Sequence, residues 1–184
     1  MVMTKDILLE MEETASKLLQ TVSAFPHEQF NSIPFEDSWT AAQVSDHILK
    51  SVSGVWEMLY TPTNPTDRPA DRKAEAIKAM FLDFETKMKS PEFVLPGNSP
   101  MEKETLVNAL EKIMAKLVSA IKTLNLSETC TAFELPGFGE FTRAEWAWFA
   151  IYHTQRHTRQ LKNIREILLK KKSTPEIRQV YLWH

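Results

Sequence analysis

The sequence is poor in cysteine, in glycine and in any excess of one charge, and each shortage excludes a class of protein. Its 184 residues include one cysteine, four glycines, and 22 Lys+Arg against 24 Asp+Glu. The single cysteine, Cys130, excludes an intrachain disulfide and a thiolate metal cage. The formal net charge of −2 lacks the basic excess that phosphate binding leaves, so we expect no nucleic-acid partner.

Long apolar runs are lacking as well. Stretches without an Asp, Glu, Lys or Arg reach about ten residues, whereas a membrane span needs roughly 20. The N-terminus, Met-Val-Met-Thr-Lys-Asp, becomes charged where a signal peptide would become apolar. We therefore expect a soluble cytoplasmic protein with no membrane partner. At this length a single domain spanning residues 1–184 is expected.

What the sequence does have is helical periodicity, interrupted by its ten prolines. Apolar side chains recur at helical spacing in four long segments: residues 8–22, 44–59, 106–124 and 146–168. A shorter helix is predicted over residues 71–89, with Phe84 and Met88 among its inward side chains. The pattern predicts an all-α protein, a four-helix bundle with one extra short helix between the second and third main helices.

Several helix boundaries carry their own signals. Two capping boxes are predicted, Thr40 with Gln43 and Thr142 with Glu145. Ser99 is the predicted N-cap of the third main helix, with Pro100 in its first turn. Residues 61–69 are polar and proline-rich and indicate a linker or lid, and residues 136–139 are interpreted as part of a loop.

Three of the five histidines fall on the inward stripes of two predicted helices. His47 lies on the second main helix, and His153 and His157 lie one turn apart on the last, close enough to reach one ion. A buried imidazole must be hydrogen-bonded or metal-bound, so the alternative for each is a satisfied core histidine. Three inward histidines favour a metal site. Thr154 stands where a zinc protease would carry its Glu, which excludes that motif.

The remaining candidate ligands are weaker. His27 follows a proline in a loop, and His184 is the terminal residue. Asp46 and Glu145 are alternatives for a fourth ligand, but Asp46 projects about 100° round the helix from the neighbouring histidine, and Glu145 has a capping role. Cys130 has no basic neighbour in the sequence to lower its pKa, so we expect it to pack in the core.

The segments around the inward histidines resemble the DinB-like (DinB/YfiT) superfamily. Ser38-Trp39-Thr40-Ala-Ala-Gln-Val-Ser-Asp-His47 is similar to its Trp-Ser/Thr…His signature, and residues 146–160 match its His-x-x-x-His-x-x-Gln pattern. Residues 89–96 resemble the linker before its third main helix. The resemblance extends from about residue 5 to residue 170.

This resemblance implies an up-down-down-up bundle and a divalent metal ion, typically zinc or nickel, held by three histidines. The matching positions here are His47, His153 and His157, and Gln160 matches a recurrent position that could support a ligand or line a pocket. The family includes transferases that use bacillithiol, mycothiol or glutathione, a thiol-dependent isomerase, and proteins with no assigned activity. Its members are often dimers, so the resemblance is compatible with a homodimer.

A three-histidine site leaves a fourth tetrahedral position open, as in catalytic zinc sites. The leading hypothesis is a metal-dependent transferase that activates a low-molecular-weight thiol, in the manner of a bacillithiol S-transferase, for attack on an electrophile. Two alternatives stay open: a hydrolase using metal-bound hydroxide, and a non-catalytic stress or interaction protein with a structural metal. The expected partner is a small-molecule substrate.

Overall fold

A computed structural model describes residues 2–86 and 88–173, and four long helices make up most of it. They are α1 (Val2–Ser23), α3 (Ala41–Met58), α5 (Lys103–Thr123) and α6 (Arg143–Ser173). Two short helices, α2 (His27–Phe30) and α4 (Ala74–Leu82), lie in the connections, together with a 3-10 helix, Glu92–Val94. In the described ranges, no helix combines the length and apolarity needed to cross a membrane.

Contacts near the ends of the long helices give their directions. α6 runs parallel to α1, α5 runs antiparallel to α1, and α3 runs antiparallel to α6. The pairs that fix these directions are Gln155–Glu10, Lys172–Glu28, Lys122–Glu12, Lys103–Phe25, Arg143–Leu59 and His157–His47. α1 and α3 each pack against both α5 and α6 and lie at opposite corners. The predicted all-α, up-down-down-up four-helix bundle is therefore confirmed.

The predicted apolar stripes form the core between these four helices. Buried apolar side chains on the four helices include Met11, Leu18, Val22, Val44, Ile48, Val55, Leu106, Leu110, Leu117, Ile121, Trp146, Ala150, Ile164 and Leu168. Removing one large apolar side chain from water contributes about 1.5–3 kcal/mol to folding. Because the stripes follow the helical period, they also fix which face of α3 and α6 points inward.

α4 is shorter than the predicted helix over residues 71–89. The Asp83 carboxylate accepts hydrogen bonds from the Glu85 backbone N–H (3.0 Å) and the Thr86 hydroxyl (2.5 Å). Such a side chain competes with the helical pattern and turns the chain. Phe84 and Met88, which the periodicity places inward, are instead 39% and 43% exposed. That part of the prediction is wrong.

α5 begins later than predicted, so Ser99 is not its N-cap. The Met101 backbone N–H donates to the Asn31 side-chain oxygen, and the Met101 carbonyl accepts from the Asn31 amide, both at 2.9 Å. These bonds hold the chain against the loop after α2, and Glu102 becomes the N-cap. Pro100 accordingly precedes the helix instead of lying in its first turn.

A small antiparallel sheet lies where a loop is predicted. Its strands are β1 (Thr63–Asn64), β2 (Thr129–Leu135) and β3 (Gly139–Thr142), in the order β1-β2-β3. Gly137 and Gly139 have φ values of 82° and 70°, a region that favours glycine, and they turn β2 into β3. β3 leads directly into α6 and so sets where that helix begins.

Candidate metal centre

Three histidine side chains converge between α3 and α6. The Nε2 atom of His47 lies 3.1 Å from the Nε2 atom of His153 and 3.1 Å from that of His157. His47 and His153 are only 2% and 7% exposed, whereas His157 keeps an intermediate exposure. Each histidine therefore directs one ring nitrogen towards a common, largely enclosed point.

Local structure explains why these side chains meet. The capping box predicted at Thr40 and Gln43 is present, and it fixes the start of α3 two turns before His47. On α6, His153 and His157 are four residues apart, so their side chains lie one above the other on the same face. The antiparallel packing of α3 against α6 then brings the two helix faces together.

The outer nitrogens of two rings show how those rings are protonated. His47 Nδ1 lies 2.8 Å from the Val94 carbonyl, and His157 Nδ1 lies 2.8 Å from the Gln160 side-chain oxygen. An oxygen of either kind can only accept, so both Nδ1 atoms carry the hydrogen. A neutral ring that is protonated at Nδ1 has a bare lone pair at Nε2. Two lone pairs therefore face each other at 3.1 Å.

This arrangement fits a bound transition-metal ion. Zn–N bonds of about 2.0–2.1 Å in a tetrahedral site place the ligand nitrogens about 3.3 Å apart, close to the observed 3.1 Å. Facing lone pairs repel unless a proton or a cation lies between them, and imidazole is a preferred ligand of zinc and nickel. The convergence of the three histidines agrees with the sequence analysis, and metal binding by them stays a prediction.

His153 is held differently from the other two. Its Nδ1 atom is buried and has no hydrogen-bond partner in the described part of the protein. The ring is stacked on Phe149 with centroids 5.8 Å apart and an interplanar angle of 7°, and the Phe81 ring lies perpendicular to it with centroids 5.3 Å apart. On the other side of the cluster, Trp39 packs 5.1 Å from the His47 ring. Aromatic rings thus enclose the site.

Burial keeps the three imidazoles neutral. It lowers the pKa of His157 to about 4, with further contributions from His47 and the Arg156 charge. Burial also holds the pKa of His153 well below its usual range and lowers that of His47, although the hydrogen bond to Val94 opposes the shift at His47. At neutral pH all three rings are therefore neutral, with one ring nitrogen free of hydrogen, which is the form that metal ions require.

The two carboxylates considered as a fourth ligand are both engaged elsewhere. Asp46 accepts the Gly97 backbone N–H at 3.0 Å and pairs with Lys50 at 2.9 Å. Glu145 is fully buried and receives two bonds from the Arg68 guanidinium, at 2.6 and 2.7 Å. Within the described residues, the histidine cluster comprises three ligands and neither carboxylate belongs to it.

The predicted capping role of Glu145 is also confirmed. The Thr142 backbone N–H donates to its carboxylate at 3.0 Å, and the Glu145 N–H donates to the Thr142 hydroxyl at 3.1 Å. A second backbone N–H, that of Lys73, donates to the same carboxylate at 2.8 Å. Together with Arg68, these bonds satisfy a buried charge and fasten the residues before α4 to the start of α6.

The other sequence candidates lie away from the cluster. His27 is on the surface, where it contacts Glu104 at 2.9 Å, and His184 lies outside the described residues. Cys130 is fully buried in β2, and burial raises the pKa of its thiol. A thiol with a raised pKa is a poor nucleophile, in agreement with the predicted packing role.

The fold and the site together define a four-helix-bundle protein with a buried three-histidine cluster. A model of the DinB superfamily matches residues 10–161, and the chain belongs to this superfamily. The chain is 26% identical over 139 residues to the uncharacterized protein YuaE of Bacillus subtilis (strain 168). The aligned region covers 76% of this chain and 85% of YuaE. The family predicted from the sequence is thereby confirmed.

Two solved structures share the fold. One is YfiT from Bacillus subtilis, described as a probable metal-dependent hydrolase with an unusual four-helix bundle topology. It aligns with a TM-score of 0.61 at 15% identity, over 90% of this chain and 87% of YfiT. The other is TT2238, a four-helix bundle protein, with a TM-score of 0.57 at 17% identity, over 87% of this chain and 98% of TT2238. At these identities the likeness shows the fold alone.

Proposed function

We propose that this protein is a metal-dependent enzyme in which His47, His153 and His157 bind one divalent ion, zinc or nickel. We further propose that it transfers a low-molecular-weight thiol to an electrophile. The observation that carries the metal site is the pair of Nε2 lone pairs at 3.1 Å, because the Val94 carbonyl and Gln160 fix both outer nitrogens as donors. A cation between the two Nε2 atoms is the group that best removes the repulsion between their lone pairs.

The ligand set supports a catalytic site over a purely structural one. Structural zinc sites normally have four protein ligands, whereas the cluster in the described residues has three. A divalent ion held by these three histidines would lower the pKa of a thiol or a water molecule bound to it. His157 is the most exposed of the three histidines, so we place the approach of a small molecule on its side of the cluster.

The residues around the cluster favour a thiol over water as the reacting group. Hydrolysis requires a side chain that moves protons to and from the substrate. The two carboxylates near the ligands in sequence are committed, Asp46 to Lys50 and Glu145 to Arg68. A thiol that releases its proton to solvent on binding can form a C–S bond by displacing an anionic leaving group, and neither step requires a proton-transferring side chain.

The apolar surroundings support an apolar electrophile. Trp39, Phe81 and Phe149 pack against the ligand rings. Phe93 and Leu95 flank Val94, whose carbonyl contacts His47, and they are 74% and 43% exposed. Because this segment contacts His47, its exposed apolar side chains are suited to hold an apolar substrate near the histidine cluster.

Hydrolysis is the second candidate function, because YfiT, which shares the fold, is described as a probable metal-dependent hydrolase. One experiment separates the two candidates. Protein loaded with zinc or nickel is incubated with bacillithiol, mycothiol, glutathione or cysteine and a panel of electrophiles, and thiol consumption is measured. Ester, amide and phosphoester substrates are tested in parallel without thiol.

The transferase proposal predicts thiol consumption that depends on the metal and is lost in His153→Ala. Consumption equal to that of His153→Ala across the panel would contradict it. Turnover of an ester, amide or phosphoester without thiol would instead support the hydrolase. His27→Ala, which removes a surface histidine outside the cluster, is the matched control and is expected to retain the wild-type rate.

A further inference from the structure

The three imidazoles of the cluster are not oriented by the same means. His47 and His157 are each fixed by a hydrogen bond from Nδ1 at 2.8 Å, to Val94 and Gln160 respectively. His153 has no such bond among the residues that the structure describes. Since a metal ligand is useful only when its ring is held in place, another interaction must orient His153.

Aromatic packing is the interaction that holds the His153 ring. Phe149, one turn earlier on α6, stacks parallel to it. The ring of Phe81, near the end of α4, is perpendicular to both, with its centroid 5.3 Å from that of His153 and 4.9 Å from that of Phe149. Phe149 belongs to the same helix as His153, whereas Phe81 belongs to a different helix, so its position depends on how α4 is held.

Arg156 holds the end of α4 against α6. Its guanidinium donates to three backbone carbonyls, those of Phe81 at 3.0 Å, Asp83 at 2.6 Å and Thr86 at 2.6 Å. The turn made by the Asp83 side chain brings the last two carbonyls to the same guanidinium. A planar guanidinium with five donors can span three carbonyls, and an ammonium group cannot reproduce that geometry.

We propose that Arg156 is a positioning residue for His153. By donating hydrogen bonds to the carbonyls of Phe81, Asp83 and Thr86, it holds the Phe81 ring against the His153 imidazole. This packing replaces the hydrogen bond that orients each of the other two ligands. The inference rests on the proposed metal site and adds to it a residue that acts on one ligand through a second side chain.

Arg159 provides a matched control on the same helix. Its guanidinium lies 3.9 Å from the centroid of the Phe84 ring, on the turn that follows α4. It has the same charge as Arg156 and touches the same turn, but the ring that it contacts is that of Phe84. Replacing it removes a cation near the cluster without releasing the ring that packs on His153.

The test measures Co²⁺ binding to the full chain, with affinity obtained by competition with a chelator and geometry from the visible absorption of the bound ion. Arg156→Gln and Phe81→Leu are each expected to weaken Co²⁺ binding about tenfold or more and to change the absorption spectrum. Arg156→Lys keeps the charge, and its affinity for Co²⁺ is expected to lie between those of the wild type and Arg156→Gln. Arg159→Gln is expected to match the wild type in both readouts.

The double variant Arg156→Gln/Phe81→Leu is the sharpest comparison. Because both residues act through one ring, their combined effect should be smaller than the product of the two single effects. Multiplicative effects would contradict the proposal, as would equal affinities for Arg156→Gln and Arg159→Gln. If Arg156→Gln does not fold, Phe81→Leu decides the outcome alone, since an unchanged affinity and spectrum would overturn the inference.

Failure of the metal site itself has a separate signature. If the wild type binds no Co²⁺, or binds it equally well after His47→Ala, the proposed function is wrong and this inference falls with it. If binding depends on His47 but not on Arg156 or Phe81, the site stands and only the positioning role is refuted.

Discussion

The metal-free protein is expected to lose stability in mild acid because its buried imidazoles resist protonation. Burial lowers the pKa of His157 to about 4 in the folded protein, from an ordinary value of 6.5 that the unfolded chain recovers. Between pH 6.5 and pH 4, His157 therefore binds a proton in the unfolded chain but stays neutral in the folded protein. The free energy of unfolding has its full value above pH 6.5 and decreases as the pH drops towards the pKa of His157 in the folded protein.

The size of this effect follows from the two pKa values. His157 alone removes about 2 kcal/mol between pH 7 and pH 5, and about 3 kcal/mol by pH 4. The pKa values of His47 and His153 are shifted in the same direction, so they add to the loss. For a domain whose total stability is of the order of 5–15 kcal/mol, this is a large fraction.

Urea unfolding of the metal-free protein at pH 7 and pH 5 measures the effect. Wild type is compared with His157→Gln, which cannot titrate, and with His27→Gln, which removes a surface histidine instead. The loss of stability between the two pH values should be about 2 kcal/mol smaller in His157→Gln than in the other two proteins. An identical loss in all three would refute the reasoning.

Three further predictions concern the ligands and their supports. Zinc at about 100 times its dissociation constant should stabilise the wild type against urea by about 2.7 kcal/mol, and an equal gain in His153→Ala would contradict the site. Gln160→Leu should weaken zinc affinity about 10–100-fold in a chelator competition, so an unchanged affinity would show that Gln160 does not orient His157. Arg68→Met should cost about 3–5 kcal/mol in urea unfolding, because it leaves the Glu145 carboxylate buried and unpaired. Arg68→Met/Glu145→Leu should recover much of that loss, and no recovery would contradict the explanation.

The candidate site was predictable from the sequence because helical periodicity fixes the direction of a side chain. His47, His153 and His157 lie on apolar stripes, and a stripe must face the core wherever its helix packs. The capping boxes at Thr40 and Thr142 were predictable for a similar reason, since their hydrogen bonds join residues three apart in the chain. Each of these features depends on local geometry that a single sequence encodes.

The supports of the site depend on contacts that the sequence does not encode locally. The acceptor for His47 is the backbone carbonyl of Val94, and any residue at that position would offer the same atom. Arg68, the partner of Glu145, lies in a proline-rich segment without periodicity. The contact of Phe81 with His153 depends on the angle at which α4 meets α6, which no spacing within either helix determines.

Two features that the sequence predictions missed have local signals of their own. Asp83 followed three residues later by Thr86 is typical of a turn closed by an aspartate side chain, yet the apolar residues Phe84 and Met88 continued the helical spacing. The segment 129–133, Thr-Cys-Thr-Ala-Phe, is compatible with a strand and is followed by two glycines suited to a hairpin turn. At Asp83 the geometry of a turn overrides a short helical pattern, whereas at residues 129–135 a strand forms where a loop is predicted.

Elemental analysis of untagged protein tests the central claim most directly, with wild type beside a His47→Ala/His153→Ala double variant, each purified and then reconstituted with zinc or nickel. The three-histidine site predicts about one equivalent of metal per chain in the wild type and none in the double variant. Equal metal content in the two proteins, or none in either after reconstitution, would contradict the site and leave the three imidazoles as neutral core histidines.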